Sequence, residues 1–143
     1  MKYIVKPFFL AGLREAIVNY LTRFQVAIKQ LKTEGIEVIG YARKSVGDES
    51  GEKRLQLVQA MVNNLISRSL ADKVYVSISS HASAPLASRD LAEQPIFKDL
   101  QHVEGSTQDL LEYIKSAEKD ICLVSLDFAG LSTSPVEIQK LTV

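Results

Sequence analysis

The chain has 143 residues, 46% of them hydrophobic, which fits one domain with a modest core and excludes a disordered chain. Lys plus Arg and Asp plus Glu both total 17, so there is no net positive charge to favour a free-standing nucleic-acid binder. The single cysteine, Cys122, excludes an internal disulfide framework and points to an intracellular protein, cytoplasmic or nuclear, and no apolar run reaches membrane-spanning length.

Residues 10–33 carry Leu10, Leu13, Ile17, Tyr20 or Leu21, Phe24, Ala27 or Ile28 and Leu31 at intervals of three or four, the stripe of an amphipathic helix. Pro7 precedes it and Gly35 follows it, in keeping with helix-boundary preferences. The stretch is basic and poor in acids, but Ser is nearly absent, so it reads as a packed helix rather than a transit peptide. We treat residues 1–36 as an N-terminal helical extension and residues 37–143 as the main domain. The helix is expected to pack on the domain, with an interaction surface as the alternative. Residues 1–46 hold eight basic and three acidic side chains, a local charge of +5 that the remainder balances, so any affinity for a polyanion belongs near this end.

Residues 37–43 are short and apolar and predict a buried strand. Gly47, Asp48, Ser50 and Gly51 predict a loop with helix-capping chemistry. Asp48, Glu49 and Glu52 read as the solvated start of the helix predicted over 52–70. A second strand is expected over 73–78, an irregular segment over 79–105, a third helix over 107–118 and a third strand over 121–126, with Asp127 at its end. Gly130 to Pro135 predict a loop, and a helix is expected to begin at Val136. Alternation of this kind predicts an α/β fold, a parallel sheet with flanking helices, with working residues at the carboxyl ends of the strands.

Three places fall there: Arg43 with Ser45, the loop after Ile78, and Asp127. A serine hydroxyl beside a guanidinium suits phosphate chemistry, because arginine neutralises and orients the phosphate while the hydroxyl attacks phosphorus. On spacing alone, an ordinary surface loop is the favoured reading.

Tyr41-Ala42-Arg43-Lys44-Ser45, preceded by Ile39-Gly40, resembles the strand-end signature of the serine recombinases of the resolvase/invertase family. Leu55-Gln56-Leu57-Val58-Gln59 is similar to the family's next helix, and residues 110–127 are similar to its later helix, strand and acidic strand end. The resemblance covers about residues 37–140 and implies a resolvase-like catalytic domain acting in DNA recombination, such as the integration or inversion of a mobile element. It implies Ser45 as the nucleophile that becomes linked to a 5′ phosphate, Arg43 as the phosphate holder and Asp127 as the supporting carboxylate. Homo-oligomers and DNA are the implied partners. No organic cofactor and no metal are expected.

The chain departs from the family where arginines should follow the aspartate, since Phe128 and Leu131 stand in their places. A further family arginine belongs in the loop after the second strand. Gapless reading puts Gly105 there, and Arg89 substitutes if the segment between is an insertion. Losing one preorganised donor typically costs roughly 10²–10³ in rate, so cleavage is expected to be weakened or lost. The family's long dimer helix and DNA-binding domain have no counterpart in this sequence, and a C-terminally incomplete domain is expected. The alternatives are a non-enzymatic recombinase-like domain that binds DNA or related subunits, and an unrelated α/β domain with a chance match. His81 and His102 lack partners at metal-ligand spacing, and Cys122, inside an apolar strand, is expected to be a buried structural residue.

Overall fold

The computed structural model describes residues 3–5 and 14–126, with side chains from Tyr20 onward. Four strands, β1 (Tyr3–Val5), β2 (Glu37–Arg43), β3 (Lys73–Ser77) and β4 (Ile121–Ser125), form one parallel sheet in the order β1-β4-β2-β3. Three α-helices, α1 (Arg14–Thr33), α2 (Gly51–Ser67) and α3 (Thr107–Ser116), flank it. This is the α/β arrangement expected from the alternating pattern. Residues 10–13 of the expected first helix, Asp127, and the loop and helix expected beyond it lie outside the described residues.

The alternation of side chains along β2 sorts the core into two layers. Val38 and Ala42 point to the face covered by Phe24 and Ile28 of α1 and Val58, Val62 and Leu65 of α2. Ile39 and Tyr41 point to the opposite face, against Leu110 of α3 and Leu86. Ile28 is 1% exposed, and burying such a side chain contributes about 1.5–3 kcal/mol. The N-terminal segment therefore contributes both a strand to the sheet and two side chains to the main core.

Gly40 sets the distance between α2 and the sheet. A Cβ there would lie 3.2 Å from both Ala71 Cβ and Leu65 Cδ1, so only glycine admits the helix this closely without a shift. α2 begins at its cap Ser50, whose side chain accepts from Lys53 N at 3.1 Å. It stops at Ser67, short of the expected residue 70. Leu70 adopts a positive φ of 55°, and Ala71 N donates back to Leu65 O at 3.1 Å. α3 begins with a capping box in which Ser106 N donates to Asp109 Oδ2 at 2.8 Å.

The segment expected to be irregular, 79–105, contains two short 3₁₀ turns, Leu86–Ser88 and Pro95–Asp99. Its end is tied to the free edge of β3: Glu104 N donates to Val74 O and Gly105 O accepts from Val76 N. That pairing covers part of an edge strand.

Candidate functional site

The chain leaves β2 towards α2 on one face and leaves β3 towards α3 on the other. The carboxyl ends of these adjacent strands therefore diverge, which is where open parallel sheets form ligand crevices. Arg43, the last residue of β2, is in register with Ser77 of β3. Backbone bonds from Lys44 N to Ser77 O and from Ser80 N to Lys44 O hold the two exits together. Arg43 is half-buried and its Nη1 donates to Ser80 O at 2.6 Å.

Ser45 is exposed two residues beyond β2. Lys44 Nζ donates to Ser45 O at 2.9 Å and lies 3.4 Å from Ser45 Oγ. The same ammonium pairs with Glu49 Oε1 at 2.8 Å, and Arg54 Nη2 reaches that oxygen at 3.3 Å. Arg54 also donates to Gly47 O at 2.7 Å, bracing the loop from the first turn of α2. The bond from Lys44 holds the Glu49 carboxyl below its ordinary range. Glu49, expected to be part of a solvated helix start, is instead folded back with its side chain 17% exposed. Ser50 caps the helix and Glu52 lies in its first turn.

Arg89 is 2% exposed. Its Nε donates to Ala84 O at 3.2 Å, Nη2 to Ala82 O at 3.2 Å and Nη1 to the Tyr41 hydroxyl at 3.1 Å. The Tyr41 hydroxyl also bonds Thr107 Oγ1 at 2.7 Å. Burial pushes the Tyr41 phenol above its ordinary range, so it stays protonated and can donate to Thr107 while accepting from Arg89. Asp90, at a positive φ of 57°, accepts from Ser77 Oγ at 3.0 Å and from Thr107 N at 3.1 Å, and Ser77 and Ser80 share a bond of 2.6 Å. The network thus runs from the buried guanidinium to the loop residue that Arg43 grips. In this arrangement the Arg89 guanidinium faces the interior.

Of the expected site residues, Arg43 and Ser45 stand together at the exit of β2, and Arg89 lies beneath it against Tyr41. Asp127, Phe128 and Leu131 lie outside the described residues. Ser125, two residues before Asp127, is in register with Tyr41, so β4 ends beside β2. Sequence reasoning missed Lys44, Glu49 and the Tyr41, Asp90 and Thr107 network. Only the Gly47 and Gly51 loop hinted at a tight turn able to bring residues 44 and 49 together.

A separate cleft of about 230 Å³ lies beside the start of α3, lined by Ile78, Asp90, Glu93, Phe97, Lys98 and Asp109 among others. Three carboxylates against one lysine make it a poor seat for phosphate. Among the described residues, no group of three or more His, Cys, Asp or Glu is placed to hold a metal ion, and no helix is long and apolar enough to cross a membrane. Neither a known family model nor a curated protein matches the chain.

Proposed function

We propose that this chain is a recombinase-like catalytic domain of the resolvase/invertase type, which engages a DNA phosphodiester through Arg43 and Ser45 and has weakened strand cleavage. The observation that carries the reading is the exposed Ser45 hydroxyl at the carboxyl end of a central parallel strand, two residues after a half-buried arginine and beside a lysine ammonium. The element order from β2 to β4 is compatible with it. DNA is the partner, and assembly with further copies supplies the affinity that a neutral chain lacks. Asp127 would support the site by hydrogen bonding.

The test is covalent trapping on nicked or pre-bent duplexes drawn from the DNA flanking the gene. A denaturation-resistant protein–DNA adduct that disappears in Ser45→Ala is the expected result. Folded protein that forms no adduct on any duplex would refute cleavage. A second reading, a non-enzymatic recombinase-like domain that binds DNA or related subunits, draws support from the internal engagement of Arg89 and from Phe128 and Leu131 in place of arginines. Duplex binding without an adduct is its signature.

A further inference from the structure

The residue between the arginine and the serine carries more than its place in the chain suggests. Lys44 Nζ grips Ser45 twice, at the carbonyl oxygen (2.9 Å) and at Oγ (3.4 Å). We propose that Lys44 is the activating partner of Ser45, held against it by Glu49, so that the hydroxyl is primed to attack phosphorus electrophiles. The inference rests on the reading of Ser45 as the nucleophile.

Three observations carry it. A hydroxyl is a weak nucleophile, and an adjacent cation stabilises the alkoxide that forms as its proton leaves. Lys44 is not left to wander, because Glu49 Oε1 binds it at 2.8 Å while Arg54 Nη2 holds the same oxygen at 3.3 Å. The loop leaves room for that clamp: the Glu49 carboxylate lies where a Cβ on Gly47 would stand, and a larger residue there would push that side chain aside. Two cations meet one carboxylate here, which leaves positive charge beside Ser45 for a phosphoryl oxygen. In the step, an Oγ–P bond forms and the bond from phosphorus to the leaving group breaks with its electron pair. The hydroxyl proton passes to a solvent base, and a departing alkoxide takes a proton from water.

A fluorophosphonate probe tests this without DNA. Its fluoride is the leaving group, and mass spectrometry of the full chain reads the rate of labelling at each serine. Exposed Ser83 is the internal reference. A unit charge 3.4 Å from the alkoxide in a water-like medium corresponds to about tenfold in rate. Ser45 is expected to label about tenfold faster than Ser83. Lys44→Gln should erase that advantage, and Lys44→Arg should keep most of it. Circular dichroism on each variant separates loss of reactivity from loss of fold. Equal labelling of Ser45 and Ser83, or undiminished labelling in Lys44→Gln, would overturn the proposal. Fast, Lys44-dependent labelling without any DNA adduct would leave this inference standing and sink the recombinase reading. An adduct formed equally well by Lys44→Gln would do the reverse.

Discussion

Tyr41→Phe removes one oxygen atom from the interior and leaves the ring in place. That oxygen accepts from Arg89 Nη1 at 3.1 Å and bonds Thr107 Oγ1 at 2.7 Å, with Tyr41 and Thr107 both at 0% exposure. Water cannot readily replace it. A neutral buried hydrogen bond is worth about 1 kcal/mol and one to a charged group about 1.5–3 kcal/mol, so the substitution should cost about 2–3 kcal/mol once the better burial of Phe is allowed for. At roughly 3 °C per kcal/mol for a chain of this size, the melting temperature should fall by about 8 °C. Thermal melts and urea titrations of Tyr41→Phe, Thr107→Val and the double variant form a cycle. The double variant should be less destabilised than the sum of the singles, because both remove the same bond. A Tyr41→Phe melt within about 2 °C of the parent would refute the view that this hydroxyl anchors the Arg89 loop to the sheet.

Cys122 offers a pH test. Burial raises its thiol from 9.0 to about 11, so the unfolded chain releases this proton first as pH rises. The contribution is fully present below pH 9 and is lost towards pH 11; up to about 2–3 kcal/mol is at stake. Stability should therefore fall more steeply over that window in the parent than in Cys122→Val, measured by urea unfolding at stepped pH; identical slopes would contradict the assignment. Gly40→Ala should cost roughly 1–3 kcal/mol by pressing a methyl group onto Ala71 and Leu65, and an unchanged urea midpoint would show that α2 can move away freely.

Much of the architecture was legible in the chain itself. Helices α2 and α3 announce themselves by apolar residues three or four apart, and β2, β3 and β4 by short apolar runs between polar loops, because periodicity reflects which face must leave water. Boundaries were less legible. Leu70 ends the second helix by a backbone bend that no glycine or proline marks. Strand β1 is only three residues long, and its identity comes from its pairing with β4.

The residue types at the site follow from the chain order: an arginine and a serine two residues apart at the end of a buried strand, with a glycine-bearing loop behind them. Their neighbours follow from how the strands and loops pack. Arg89 sits in a stretch rich in Ser, Ala and Pro that reads as surface, yet it is buried because Tyr41, from a strand 48 residues earlier, offers its hydroxyl there. Lys44 meets Glu49 through the turn at Gly47, and Asp90 reaches Ser77 and the start of α3 across the sheet edge. Each of these contacts joins groups whose separation in space is set by strand register and loop path, quantities that local residue preferences do not encode.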